Sequence, residues 1–195
     1  MRVGVFGGSF DPPHNGHLAL CLLACERLSL DRLLVSVSKN PFKSRSDAPD
    51  THRRVMAGLL VEEINRSVPI AALDTWELDR PAPSYTVELL RRLRLECPDD
   101  ELFLIVGEDS YREMAKWMES GAIPQICTIV VFARKEGGVA GDAVRYDPTL
   151  PAILVDFDMP VSATGVRELL AKKEPVEHLV PRAVATFIEA NGLYR

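Results

Sequence analysis

The sequence has few cysteines, and their spacing does not suit a metal or redox site. Four occur among the 195 residues, and no two of them form a C-x-x-C pair. This spacing argues against a zinc knuckle and against a thioredoxin-type site. Cys21 and Cys25 are four residues apart in an apolar segment, which predicts that they share one helix face and pack as small apolar side chains. Reduced, buried thiols are typical of a cytoplasmic protein.

Long apolar runs and a strong net charge are also missing. The longest uninterrupted apolar run, Leu18–Cys25, is far shorter than the roughly 20 residues of a membrane-spanning helix. No secretory signal pattern is visible, so the sequence predicts a cytoplasmic protein without a membrane partner. The formal charge is only −5, from 23 Lys and Arg against 28 Asp and Glu. A general nucleic-acid-binding surface needs an excess of basic charge and is therefore not expected.

The charge is divided unevenly between the two halves of the chain. Residues 1–98 carry 13 basic and 12 acidic side chains, whereas residues 99–195 carry 10 and 16. If the protein binds phosphates, we expect it to do so at a local site supplied mainly by the first half. The hydrophobic share of 47% and the charged share of 26% are those of an ordinary soluble globular protein.

Apolar segments that predict strands alternate with segments that predict helices. The predicted strands are Val3–Phe6, Leu33–Val37, Val68–Leu73, Leu102–Val106, Cys127–Ala133 and Ile153–Val155. The predicted helices start near Gly16, Asp50 or Thr51, Ser84, Ser110, Ala163 and Pro181, with Asp50 or Thr51 and Ser84 as capping residues. This order predicts an α/β fold with a doubly wound, Rossmann-like, mostly parallel sheet and helices on both faces. Ligands of such sheets bind outside the carboxyl ends of the strands.

The loop after the first predicted strand is the most informative segment. It reads Gly-Gly-Ser-Phe-Asp-Pro-Pro-His-Asn-Gly-His over residues 7–17. Glycines allow close approach to the backbone, and a helix N-terminus attracts anions. His14 and His17 are three residues apart and share a helix face, so they predict a phosphate site. Neither G-x-G-x-x-G nor a Walker loop is present. Two alternatives stay open: metal ligation with Asp11 as third ligand, and histidines that only cap and pack.

Two segments resemble the signatures of the nucleotidylyltransferase superfamily. The first resembles G-x-F-D-P-x-H-x-G-H, and it matches at Gly8, Phe10, Asp11, Pro12, His14, Gly16 and His17. The second, Val161–Arg167, is similar to I-S-S/A-T-x-I-R. The resemblance implies that both histidines and Arg167 contact the phosphates of a nucleoside triphosphate. It implies an ATP site that also includes Gly7, Gly8, Ser9, Phe10, Ser162 and Thr164.

Further segments resemble bacterial nicotinate-nucleotide adenylyltransferases, and with them the resemblance covers essentially the whole chain. These segments are Asn40–Lys43, Glu77–Thr86, Ile105–Ser110, Lys116–Trp117, Val131–Arg134 and Gly192–Arg195. They imply further ATP contacts at Gly107, Asp109 and Arg134. They imply acceptor contacts at Lys43, Ser84, Tyr85, Thr86, Trp117 and Met118. The sequence departs from the family pattern at Phe42, where a histidine is usual, and at Met118, where a tyrosine is frequent.

The resemblance implies adenylyl transfer from ATP to nicotinate mononucleotide by one domain over residues 1–195, with C-terminal helices from about 162 packed on it. The implied catalytic residues are His14, His17, Lys43 and Arg167. Mg²⁺ would be carried by the ATP phosphates, without a protein metal site. Nicotinamide mononucleotide and phosphopantetheine remain alternative acceptors, and a non-catalytic nucleotide-binding regulator is the alternative from another class. The sequence leaves assembly into a homo-oligomer open.

Overall fold

The structure, a computed structural model, describes residues 1–39, 47–81, 83–133, 147 and 149–195. Its strands are β1 (Arg2–Gly8), β2 (Arg32–Val37), β3 (Ala71–Asp74), β4 (Glu101–Gly107), β5 (Thr128–Ala133) and β6 (Ala152–Asp156). Its helices are α1 (Asn15–Arg27), α2 (Asp50–Ser67), α3 (Thr86–Glu96), α4 (Glu108–Glu113), α5 (Ile123–Ile126), α6 (Ala163–Ala171) and α7 (Arg182–Ala190). Short 3₁₀ turns span Met114–Lys116 and Ser120–Ala122.

The six strands form one parallel sheet in the order β3-β2-β1-β4-β5-β6. This is the doubly wound arrangement that the alternation of strands and helices predicts, so the predicted fold class is confirmed. The strand order reverses between β1 and β4, which are hydrogen-bonded neighbours. A crevice therefore opens between the loops that leave these two strands, and such a switch point is where open α/β sheets bind ligands.

Alternate residues of each central strand enter separate hydrophobic cores on the two sides of the sheet. In β4, Phe103 and Ile105 join the core on the side of α1 and α2. Leu102, Leu104 and Val106 join the core that also contains residues of α3 and α4. Because both faces are buried, the strands read as continuous apolar runs rather than as alternating patterns. Cys21 and Cys25 are free thiols buried in the first core, as predicted from their spacing.

A third, smaller core lies away from the sheet and joins the C-terminal helices to the rest of the protein. Met56 from α2, Val166 from α6, and Val184 and Ile188 from α7 are all buried in it. Leu193 and Tyr194 near the chain end pack against this cluster. The C-terminal segment is thereby held close to α2 and to the start of α6.

Two predicted caps and one predicted helix start differ from the structure. Ser84 was predicted as a cap, but α3 begins at Thr86 after Tyr85, and Ser84 is buried. The carboxylate of Glu88 accepts a hydrogen bond from the backbone N–H of Tyr85 at 3.1 Å and so satisfies an orphan donor of this helix. Asp50 does not cap α2 but is its first residue and pairs with Arg53. The helix predicted from Ser110 begins at Glu108 and ends at Glu113.

None of the helices that the structure describes is long and apolar enough to cross a membrane.

Candidate active site

A cleft of about 930 Å³ lies at the switch point, between the loops that follow β1 and β4. Gly7 and Gly107, near the carboxyl ends of these neighbouring strands, both line it. A Cβ atom added at either glycine would meet no other atom within 4 Å. Both glycines therefore leave open space beside the backbone, which a side chain would occupy. The cleft has the size of a site for a nucleotide-sized ligand.

Most of the predicted site residues come together in this cleft. Its lining includes Gly7, Gly8, Ser9, Phe10, His14, His17, Ser84, Tyr85, Thr86, Gly107, Asp109, Trp117, Met118, Ser162 and Arg167. Thr164 is not among the lining residues, and its hydroxyl lies 3.4 Å from Nη2 of Arg167. Lys43 and Arg134 lie outside the described residues, as does Phe42.

The two histidines of the first motif are stacked at the start of α1. Their ring centroids are 3.7 Å apart with an interplanar angle of 24°. Nδ1 of His17 accepts a hydrogen bond from the backbone N–H of His14 at 3.1 Å. An accepting Nδ1 carries no proton, so the neutral imidazole of His17 has its proton on Nε2 and can donate from that atom. The capping interaction therefore also sets the tautomer of His17.

His14 is nearly enclosed, with 7% of its surface exposed. Burial lowers the pKa of His14 to about 4, so the ring is neutral at physiological pH. Its Nδ1 is buried and has no hydrogen-bond partner in the part of the chain that the structure describes. A Cβ at Gly16 would lie 2.9 Å from this Nδ1, which explains why the motif has a glycine there. The Phe10 ring packs edge-on against His17, with centroids 5.2 Å apart, and this contact helps to fix the position of the His17 ring.

The second motif faces the histidines from the start of α6. Ser162 is the N-cap of this helix, and its hydroxyl accepts from the backbone N–H of Gly165 at 3.1 Å. Arg167 lies one turn further along α6. Its Nη1 donates to the backbone carbonyl of Asp11 at 2.9 Å, and its Nε pairs with the carboxylate of Asp47 at 2.7 Å. The guanidinium is thus held on two sides within the lining of the cleft.

The residues predicted to contact the acceptor lie at a helix start and in turns, and of those that the structure describes only Ser84 is buried. Tyr85 and Thr86 lie at the start of α3 and are half-buried. Trp117 follows the first 3₁₀ turn and is also half-buried, whereas 45% of the Met118 surface is exposed. Backbone N–H groups at the start of a helix can bind a carboxylate or a phosphate. An indole face next to them offers a stacking surface for an electron-poor ring.

Residues 39–54 hold a cluster of basic side chains, and those that the structure describes, Lys39, Arg53 and Arg54, have a largely structural role. Arg53 is 2% exposed, and its Nη1 donates to the backbone carbonyls of Ser9 at 2.8 Å and Ser38 at 3.0 Å. Arg54 pairs with Asp79 on the surface. Lys39 donates from Nζ to the carbonyl of Arg80 at 2.7 Å. Arg53 therefore ties together the loops after β1 and β2 instead of facing solvent.

Comparison with known proteins agrees with the geometry of the site. The family model of the cytidylyltransferase-like proteins matches residues 5–169. A relative in Chlorobaculum tepidum, named "Probable nicotinate-nucleotide adenylyltransferase", is 55% identical over all of this chain and 99% of its own length. A relative of the same name in Chlorobaculum parvum is 52% identical over the full length of both chains. The chain belongs to the nicotinate-nucleotide adenylyltransferases of the cytidylyltransferase-like family.

Solved structures with the same fold bear names of the same adenylyltransferase family. The nicotinic acid mononucleotide adenylyltransferase of Plasmodium falciparum, complexed with NaAD, aligns with a TM-score of 0.81 over 99% of this chain and 97% of that one. A putative nicotinate-nucleotide adenylyltransferase of Vibrio parahaemolyticus aligns with a TM-score of 0.72 over 100% and 96%. The sequence identities are 16% and 17%, so these likenesses establish the fold.

The structure adds residues to this adenylyltransferase site that were not proposed as binding residues from the sequence. Glu77 lines the cleft and is 4% exposed, and burial raises the pKa of its carboxyl. Its carboxylate accepts from the backbone N–H of Lys39 at 3.3 Å. Phe157 and Met159 line the cleft from the segment after β6. Position after a strand end was the only sequence signal for these two side chains.

No group of three or more His, Cys, Asp or Glu suited to a metal ion occurs among the described residues.

Proposed function

We propose that this protein transfers the adenylyl group of ATP to nicotinate mononucleotide and releases nicotinate adenine dinucleotide and pyrophosphate, a step of NAD biosynthesis. One observation carries the proposal: a single cleft joins the stacked histidines and the start of α6 to the turns at Thr86 and Trp117. Such a cleft can hold a triphosphate next to an aromatic acceptor. The full-length identity to proteins named for this reaction supports the same assignment.

The chemistry needs positioning more than it needs a protein nucleophile. The phosphate of the mononucleotide acceptor has a second pKa near 6 and is already a nucleophile at neutral pH. It attacks the α-phosphorus of ATP, a new P–O bond forms, and the bond to the β-phosphate oxygen breaks as pyrophosphate leaves. Holding both substrates in line lowers the barrier by removing the entropy cost of a bimolecular encounter. A general base is therefore not part of the proposed mechanism.

We assign charge stabilisation to the phosphate end of the cleft. His17, with its proton on Nε2, donates to the phosphates, and neutral His14 lies stacked against it. Arg167 supplies a fixed positive charge opposite them, and the N-terminus of α6 at Ser162 favours an anion. Donors that are already oriented stabilise developing charge without reorganising during the reaction. Lys43 and Arg134 are proposed on resemblance alone.

Mg²⁺ fits this site as a companion of the nucleotide. The exposed carboxylate of Asp109 in the cleft is a hard oxygen donor of the kind that Mg²⁺ and its water shell accept. The metal would be held mainly by phosphate oxygens and water. When bound, it neutralises charge on the triphosphate.

The remaining assignments concern the whole molecule. We propose that residues 1–195 act as one nucleotidylyltransferase domain, with the helices after residue 162 packed on it through the third core. We place it in the cytoplasm, which is supported by its four free cysteines. ATP and nicotinate mononucleotide are the proposed partners.

The deciding experiment compares acceptors. Pyrophosphate release is measured with purified protein, ATP and Mg²⁺, using nicotinate mononucleotide, nicotinamide mononucleotide or phosphopantetheine. We expect the highest kcat/KM with nicotinate mononucleotide, and a dinucleotide of the matching mass. A preference for either other acceptor would overturn the proposed acceptor but keep the reaction type. ATP binding without pyrophosphate release from any of the three would instead indicate a nucleotide-binding regulator.

A further inference from the structure

The end of the chain returns to the phosphate loop through Tyr194. The phenol of Tyr194 donates to Oδ1 of Asp11 at 2.7 Å, across 183 positions of sequence. The turn after α7 passes through two residues with left-handed backbone, Gly192 at φ 60° and Tyr194 at φ 64°. A left-handed tyrosine is uncommon. The backbone therefore adopts an unfavourable conformation at the residue whose hydroxyl reaches the loop.

Asp11 is the junction between this tyrosine and the proposed ATP site. It is 6% exposed, and its carboxylate also accepts from the backbone N–H groups of Asp47 at 2.7 Å and Ala48 at 3.0 Å. Its backbone carbonyl accepts from Nη1 of Arg167 at 2.9 Å. The position of the Arg167 guanidinium thus depends on the position of residue 11, whose carboxylate Tyr194 contacts.

A second pair of contacts holds the start of α1 to the same C-terminal segment. The backbone N–H of Asn15 donates to the carbonyl of Leu179 at 2.7 Å. The Asn15 side chain donates from Nδ2 to the carbonyl of His178 at 3.0 Å. Asn15 directly follows His14, so the segment before α7 holds the histidine pair from outside. The loop from Asp11 to Asn15 is therefore held by the C-terminal segment at both ends.

We infer that Tyr194 is a positioning residue of the ATP site, which acts through Asp11 on Arg167 and on the loop that carries the histidines. The inference rests on the proposed function for the identity of the ligand. The phenol keeps its proton, because burial and the neighbouring Asp11 carboxylate raise the pKa of Tyr194. Residues at the end of the chain thereby take part in binding a ligand that they do not touch, since Tyr194 is not among the cleft-lining residues.

The test removes one hydroxyl group. In Tyr194→Phe we expect the KM for ATP to rise about three- to tenfold, which corresponds to the loss of one hydrogen bond. The KM for nicotinate mononucleotide should stay unchanged within about twofold. Tyr111→Phe is the matched control, because its hydroxyl also donates at 2.7 Å, to the carbonyl of Leu150, and its side chain lies outside the cleft. We expect both variants to lower the Tm to a similar extent, but only Tyr194→Phe to change the KM for ATP.

Two outcomes count against the inference. Equal KM values for ATP in the two variants would overturn it. So would a Tyr194→Phe variant in which the KM values for ATP and for nicotinate mononucleotide both rise and the Tm falls. Calorimetric titration of each variant with ATP gives the same comparison as a dissociation constant. If the wild-type protein releases no pyrophosphate with any acceptor, the proposed function fails, and the two ATP dissociation constants still decide the role of Tyr194.

Discussion

The two ends of the cleft, the proposed phosphate end with His14 and Arg167 and the proposed acceptor end with Trp117 and Met118, are built differently. At the phosphate end, His14 is 7% exposed, and Arg167 is held by the carbonyl of Asp11 and the carboxylate of Asp47. At the acceptor end, Trp117 is half-buried and 45% of the Met118 surface is exposed. The phosphate end joins residues from the first and last thirds of the chain, whereas the acceptor end combines a helix start with a nearby turn.

This difference matches the function that we propose for each end. Charge that develops on the phosphates is stabilised best by donors whose positions are set beforehand, and burial and hydrogen bonds fix such positions. A flat aromatic acceptor is bound by an exposed ring and by backbone N–H groups, neither of which needs a buried side chain. We therefore expect substitutions at the phosphate end to change the rate, and substitutions at the acceptor end to change the acceptor KM.

The largest effect is expected from His17→Ala. Loss of the Nε2–H donor should lower kcat about 10²- to 10³-fold, because an oriented donor to developing charge is removed. Pyrophosphate release at saturating substrates measures it. His178→Ala, the same change at an exposed histidine outside the cleft, retains the backbone carbonyl that Asn15 contacts and should keep wild-type turnover. A folded His17→Ala variant with wild-type kcat would contradict the assigned role.

The next effect concerns the pH dependence of stability. The pKa of His14 is about 4 in the folded protein against an ordinary 6.5. Between these values the unfolded chain binds a proton that the folded protein does not, so His14 should lower the free energy of unfolding by up to about 3 kcal/mol as the pH falls from 6.5 to 4. Urea titrations at pH 7 and pH 4.5 should show that the free energy of unfolding decreases clearly less in His14→Asn than in the wild type. A decrease equal to that of the wild type would assign the pH dependence to other groups.

At the acceptor end, Trp117→Ala should raise the KM for nicotinate mononucleotide about tenfold through the loss of a stacking surface. The KM for ATP should stay within about twofold. Trp117→Phe keeps an aromatic face and should raise the KM for nicotinate mononucleotide less than about threefold. Equal increases in both KM values would show that Trp117 supports the whole cleft instead of the acceptor alone.

The smallest effect is expected from Met118→Ala. If backbone N–H groups bind the acceptor, removal of this exposed side chain should change the KM for nicotinate mononucleotide by less than about threefold. Steady-state kinetics with both pyridine mononucleotides measure the effect. An increase above about tenfold would mean that the methionine side chain contacts the acceptor, and that the two ends are less different than we describe.

The sequence predicted the elements of the site better than their contacts. The alternating pattern gave the correct fold class, and the motif after β1 placed His14 and His17 at the start of α1. It did not predict that Arg53 would be buried under the loops after β1 and β2, because a cluster of basic residues usually indicates a solvated surface. The Ser84 cap was wrong because Tyr85 takes that position and Ser84 is buried.

By itself the sequence determined the parallel sheet and predicted a phosphate loop, since apolar runs, glycines and helix starts act through neighbours along the chain. Only the tertiary structure decided that Asp11 meets Arg167 and Tyr194, which are 156 and 183 positions away. Hydrogen bonds over such separations leave no periodic pattern, because they depend on where the third core docks the C-terminal helices. The lowered pKa of His14 was also decided by the tertiary structure alone, because it follows from the burial of the ring.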